Sequence, residues 1–207
     1  MAELSNPHDA FFKDTLSRDD VARDFLQHYL PAQISQVLDL STLSISKDSF
    51  VDRRLGRHYS DLLYTVALRN GREVHLYVLF EHKSLPEPEV ALDLLRYMLR
   101  IWELDQKQRR NLLPILPVVV YHGRVEWRVG LQLHDLLKPP DELRSFVPDF
   151  RFWLCDLSKY EDAELKGAVI LRAGLQLLKY ILRPELSERL PVIFSLLAEL
   201  ADRRTGL

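Results

Sequence analysis

The sequence predicts an α/β fold: a central mixed sheet flanked by helices, followed by a helical C-terminal extension. Three observations carry this expectation. Two strand-like apolar runs, 62–68 and 73–80, are joined through Asn70-Gly71, amphipathic helical segments stand on either side of them, and a further apolar run from Pro114 to Tyr121 reads as a buried strand. Asn and Gly tolerate the positive φ that tight turns demand, so the first two runs pair as an antiparallel hairpin. Both faces of that hairpin are apolar. Leu62, Tyr64, Val66, Leu68, Leu76, Val78 and Phe80 fall on one, Leu63, Ala67, Tyr77 and Leu79 on the other, which is the pattern of strands covered on both sides.

The remaining elements follow in chain order. Ser17-Arg18-Asp19-Asp20 has the capping-box form, and Val21, Phe25, Leu26, Tyr29 and Leu30 recur at helical spacing until Pro31 ends the run. Asp9 and Asp14 precede this helix, and Asp9 after Asn6-Pro7-His8 is most simply a helix cap. Leu43, Ile45, Phe50 and Val51 suggest a first strand between about Leu40 and Val51. After the hairpin, Pro86 and Pro88 introduce a helix running to about Gln108, with Ala91, Leu94, Leu95, Met98 and Trp102 as its apolar stripe and Asp93, Arg96, Tyr97 and Arg100 on an adjoining face. Ser158 with Glu161 is a second capping-box pattern, expected to open a helix from Leu165 through Leu182, and Pro184 opens another toward Leu200. The chain reads as one domain, 1–207, with a core over about 8–125 and a helical extension over about 126–207. The extension is leucine-rich, which suggests either core packing or a homodimer surface.

Acidic residues bracket the hairpin. Asp61 opens the first run and Glu81-His82-Lys83 closes the second, so the antiparallel pairing returns both to the same end. Whether they share a face depends on loop parity, because side chains alternate along a strand. A two-residue loop pairs Asp61 with Phe80 and puts Glu81 on the opposite face. A three-residue loop, Arg69-Asn70-Gly71 with Gly71 left-handed, pairs Asp61 with Leu79 and gives Glu81 and Lys83 the face of Asp61. Carboxylates crowded at a sheet end need a cation between them, and Mg²⁺ or Mn²⁺ suits oxygen ligands. The plainer alternative is a strand ending in a solvent-exposed Glu and Lys, with Asp61 capping a turn.

An acid, a hydrophobic hairpin and Glu-x-Lys together resemble the core of the PD-(D/E)xK phosphodiesterase superfamily. A more particular likeness runs through His8-Asp9-Ala10-Phe11-Phe12-Lys13, Tyr59 to Tyr64, Phe80 to Ser84, Leu95 to Met98, and Pro117 to Gly123 with Trp127. These segments, in this order, are similar to the Rpn group of recombination-promoting nucleases, long labelled transposases. The resemblance implies a restriction-endonuclease-like fold and a metal-dependent DNA endonuclease linked to recombination or mobile elements. It further implies Asp61, Glu81 and Lys83 as the catalytic set, with Asp61, Glu81 and the His82 backbone carbonyl holding Mg²⁺ or Mn²⁺. In the superfamily's architecture the helix after the hairpin lies beside the site, so Arg96, Tyr97 and Arg100 are candidates for DNA contact. Many relatives carry Gln where Lys83 stands. Family members also often continue well past the nuclease core, whereas this chain ends at Leu207. A nuclease fold serving as an inactive DNA-binding or recombination accessory protein is the alternative.

Composition narrows the rest. A formal charge of −2 argues against a general nucleic-acid coating protein, yet an enzyme can concentrate its basic residues locally. Arg53, Arg54 and Arg57 stand just before Asp61, either as DNA-phosphate contacts or as a solvated basic turn. The single cysteine, Cys155, excludes an internal disulfide and reads as a buried structural thiol; seven scattered histidines without Cys partners argue against zinc. His122, at a strand end, is either structural or an aid to proton transfer. The N-terminus carries no signal-peptide pattern and no apolar stretch approaches twenty residues, so the expectation is a cytoplasmic protein that does not enter a membrane.

Overall fold

The structure, a computed structural model, describes residues 14–46, 60–81 and 86–205, with side chains at 60, 61, 78–81 and 199–205 left out of the description. Arg53, Arg54, Arg57, His82 and Lys83 lie outside the described residues.

Helix α1 spans Asp19–Tyr29 and ends at Leu30, where Pro31 cannot continue it. Its start differs from expectation. The N-cap is Arg18 with no side-chain cap bond, and residues 14–16 are already helical, so Ser17 stands in a turn between two helical pieces. Arg18 instead pairs with Asp20 at 2.9 Å. A short helix α2, Ala32–Ser35, leads into β1, Leu38–Ile45, two residues earlier than the alternation suggested. Strands β2, Ser60–Leu68, and β3, Glu73–Glu81, form the hairpin, and α3, Val90–Lys107, crosses to β4, Ile115–Tyr121.

A short helix α4, Leu133–Leu137, precedes β5, Trp153–Asp156. That strand joins the sheet from beyond position 125, inside the stretch expected to be helical. Ser158 does not open a helix either: the Asp156 carboxylate takes both its N–H and its hydroxyl in a local turn. Helix α5 starts only at Val169 and runs to Tyr180, and α6 spans Leu186–Thr205.

The sheet order is β1-β2-β3-β4-β5, antiparallel from β1 to β3 and parallel from β3 to β5. Its two faces bury separate cores. Leu62, Tyr64, Val66, Leu76, Val118 and Val120 pack with Phe25 and Leu26 of α1 and Leu171, Leu175 and Leu178 of α5. Leu63, Tyr77, Val119 and Tyr121 pack with Val90, Ala91 and Leu94 of α3. These are the two faces the alternation predicts, and each buried Leu or Phe contributes about 1.5–3 kcal/mol to holding the layers together. Cys155 is buried in the first core. Burial, reinforced by the neighbouring Asp156 charge, pushes its thiol far up, away from any nucleophilic role near neutral pH.

Candidate active site

Loop parity at the hairpin turn sets the geometry of the open end. Leu68 N–H donates to the Arg72 carbonyl at 2.5 Å, Gly71 N–H donates to the Leu68 carbonyl at 2.8 Å, and Gly71 has φ +85°. This is the three-residue loop with glycine in the left-handed position, where a Cβ would be strained. Asp61 accordingly pairs with Leu79, two residues before Glu81. Positions 61, 79 and 81 therefore have the parity of Leu63 and Tyr77, the row packed toward α3.

The parallel strands extend this row sideways. Glu81 pairs with Tyr121, and Tyr121 with Asp156, so a second acid stands two strands from Glu81 at the carboxyl ends of β3, β4 and β5. Asp156 is 5% exposed; one carboxylate oxygen receives Ser158, and its Oδ2 is buried without a hydrogen-bond partner among the described residues. It was missed in the sequence. The available signal was the one that singled out Glu81, an acid closing an apolar strand, here Trp153-Leu154-Cys155-Asp156. Open α/β sheets bind ligands at this end. Tyr121 stands between the two acids; its hydroxyl donates to the Val125 carbonyl at 2.6 Å and its buried ring meets Trp127 edge-on. Its ring lies over Gly123, where any Cβ would collide with it. His122, next in the chain, is 3% exposed.

The candidates on α3 are held as follows. Arg96 donates to Asp93 at 2.5 Å and Arg100 to Glu103 at 3.2 Å, both through half-exposed arginine side chains, and Tyr97 packs against Tyr77 with ring centroids 5.3 Å apart. Exposed pairs of this kind are worth little and exchange readily for other anions.

Oxygen donors at the end of a packed sheet suit a hard divalent cation better than zinc or copper. Among the described residues no three His, Cys, Asp or Glu side chains gather as a metal cluster. Asp61 and Glu81 contribute their backbone register to the description and not their side chains. The fit to Mg²⁺ or Mn²⁺ thus stands on the shared parity of positions 61 and 81 and on the chemistry of their carboxylate donors.

At the opposite, turn end of the hairpin the structure holds a network that sequence reasoning did not find. His75, on β3 and 6% exposed, lies with Nε2 3.3 Å from Asp105 Oδ2 and Nδ1 3.3 Å from the Thr65 hydroxyl. Asp105, on α3 and 1% exposed, also receives Arg110 at 2.8 Å. A cavity of ≈ 410 Å³ opens beside this network. Thirty residues separate His75 from Asp105, and no local pattern links them.

Residues 6–207 match the family described as "Putative transposase, YhgA-like". The chain belongs to that family. It is 37% identical over 164 residues to the recombination-promoting nuclease RpnD of Escherichia coli O157:H7, covering 78% of this chain and 62% of the relative. To RpnC of Escherichia coli K12, also named a recombination-promoting nuclease, it is 31% identical over 79% of this chain and 55% of the relative. RpnE of the same strain, named an inactive recombination-promoting nuclease-like protein, is 31% identical over 78% of this chain and 54% of the relative. The chain thus matches little more than half the length of these relatives. No solved structure matches it. Among the described residues, no helix is long and apolar enough to cross a membrane.

Proposed function

We propose that this chain is a metal-dependent DNA endonuclease that hydrolyses phosphodiester bonds in recombination, with Asp61, Glu81 and Lys83 as its catalytic residues and Mg²⁺ or Mn²⁺ as cofactor. The observation that carries the reading is the odd-loop register of the β2–β3 hairpin, which gives Asp61 and Glu81 the same parity at the same sheet end. The names of the two nuclease relatives support it independently.

In this reading Asp61 and Glu81 supply the negative charge that retains the cation, helped by the His82 carbonyl. The bound metal supplies Lewis-acid polarisation of the phosphate and makes an attacking water easier to deprotonate. Lys83 donates to the charge that develops on the phosphoryl oxygens, an interaction stronger in the transition state than in the ground state. Arg53, Arg54 and Arg57 contact the DNA backbone ahead of β2. Arg96, Tyr97 and Arg100 line its path along α3, where the Asp93 and Glu103 pairings hold the two guanidiniums until phosphate replaces the carboxylates. A cytoplasmic location fits such a substrate. A homodimer through the C-terminal region would use the exposed Val192, Phe194 and Leu197 of α6, and sedimentation velocity decides it.

A binding role without cleavage is the second reading, favoured by the relative named inactive. Supercoiled plasmid separates the two. With Mg²⁺ or Mn²⁺ the endonuclease reading expects nicked and linear products that disappear in chelator. Retention of the plasmid on the protein with no strand break in either metal would establish the accessory role.

A further inference from the structure

The region beyond β5 carries a charge arrangement that the catalytic end does not use. Asp162 is paired with two cations: Lys179 donates to it at 2.7 Å and Arg189 approaches at 3.5 Å, while Arg183 stands over the ring of Tyr180. Tyr180 donates its hydroxyl to Asp162 at 2.8 Å and has the guanidiniums of Arg183 and Arg189 over its ring at 5.8 and 5.2 Å. Lys179 is 5% exposed and is committed, since it also donates to the Tyr160 carbonyl at 2.7 Å. One carboxylate shared by two cations, with Arg183 on the same ring, leaves a local positive surplus, in a chain whose formal net charge is −2.

Arg183 makes no ion pair among the described residues, and its Nε is buried without a partner. Arg172, three turns earlier, repeats this condition. Arg172, Gln176 and Lys179 recur at i, i+4 and i+7 along α5, with Gln176 and Lys179 buried, and Arg183 follows just past the helix end. Guanidiniums gathered over an aromatic ring still present N–H donors, an arrangement suited to phosphate oxygens. The position in the fold points the same way. Tyr160 lies four residues past Asp156, so Lys179 ties the end of α5 to the carboxyl end of the sheet, and Asp156 is itself roughly 10 Å, two strand spacings, from Glu81.

We infer that the Arg183–Tyr180–Arg189 cluster, continued by Arg172, is a nucleic-acid backbone contact that holds DNA across the C-terminal helices while the strand ends cut it. The inference rests on the proposed nuclease reading for its substrate, and its test is independent of cleavage. Fluorescence anisotropy of a labelled duplex in chelator measures binding alone. For Arg183→Ala/Arg189→Ala the expected result is a several-fold weaker affinity on any sequence, and a slope of log K against log salt shallower by about two, at roughly 0.9 per lost phosphate contact. Arg189→Glu, at a half-exposed position, should weaken binding further than Arg189→Ala. Inorganic phosphate and a nucleoside monophosphate serve as competitors, and neither should displace duplex at millimolar concentration. Wild-type affinity and salt slope in folded Arg189→Glu and in the double variant overturn the inference. So does ready displacement by the monophosphate, which would make the cluster a free-nucleotide site. A wild-type protein that binds through these arginines but never cleaves supports the surface and defeats the nuclease reading; cleavage with arginine-independent binding does the reverse.

Discussion

At the turn end of the β2–β3 hairpin, Asp105 is matched by Arg110 and His75, and His75 is completed by Thr65, so every charge in the network is answered by a neighbour. At the carboxyl end, the backbone register lines up Glu81, Tyr121 and Asp156, Asp61 shares their parity, and Asp156 keeps a buried oxygen unsatisfied. Beyond Asp156 the balance reverses sign, with the Asp162 carboxylate shared by Lys179 and Arg189 and Arg183 beside them on the Tyr180 ring. The same residue types serve two purposes. Where charges are closed on themselves they tie α3 to the hairpin, and where they are left open we assign them to the proposed cation and DNA contacts. His75 is held at both ring nitrogens, Nε2 by the Asp105 carboxylate and Nδ1 by the Thr65 hydroxyl, so the imidazole is fixed in orientation by its partners.

If the turn end is purely structural, Asp105→Ala should leave the buried His75 without its Nε2 partner, release the half-exposed Arg110 to solvent, and destabilise the fold by about 1–3 kcal/mol, read as a lower urea midpoint. Cleavage per folded molecule should survive. Loss of cleavage in a fully folded Asp105→Ala protein would erase the distinction between the two ends. Lys83→Ala tests the open end in the opposite sense: the rate at saturating DNA should fall roughly 10²–10³-fold, as for loss of one charge-stabilising donor, with little change in affinity. Unchanged rate with weakened binding would make Lys83 a phosphate-positioning residue instead. Arg53→Ala/Arg54→Ala/Arg57→Ala should reduce affinity and flatten the salt dependence by roughly 0.9 for each true contact, sparing the saturated rate.

The smallest effect is expected at Asp162. Burial raises its carboxyl, but hydrogen bonds from Lys179 and Tyr180 and the Arg189 charge outweigh that and hold it below its ordinary value. A carboxylate depressed in the folded state stabilises the protein above its unfolded pKa, near 4, and loses that contribution as pH falls through the folded value. Asp162→Asn should therefore reduce stability at neutral pH and flatten its decline below about pH 4. An identical acid-unfolding curve in the variant would show that the cluster contributes nothing to the fold.

What could be read from the sequence was what local chemistry dictates. Asn70-Gly71 marked the turn, alternation marked both faces of β2 and β3, and the stripe from Ala91 to Met98 marked α3. The turn left two parities open, and only the Leu68–Arg72 bonding with Gly71 at φ +85° decided between them. Failures came where one side chain had competing partners. Ser17 yielded to an already helical segment before it, and Ser158 to the Asp156 carboxylate. Strand β5 is four residues long, too short for alternation to announce, and it took Asp156 out of sight with it. The His75–Asp105 and Lys179–Asp162 pairs join residues 30 and 17 positions apart, which only the folded chain brings together.

The most direct test is Glu81→Gln, which keeps the side chain's size and removes the charge proposed to retain the cation. Mn²⁺ titration by calorimetry should show binding to the wild type that is lost or strongly weakened in the variant, and supercoiled plasmid should remain intact with the variant under conditions where the wild type nicks it. Wild-type Mn²⁺ affinity and nicking in a folded Glu81→Gln protein would contradict the account.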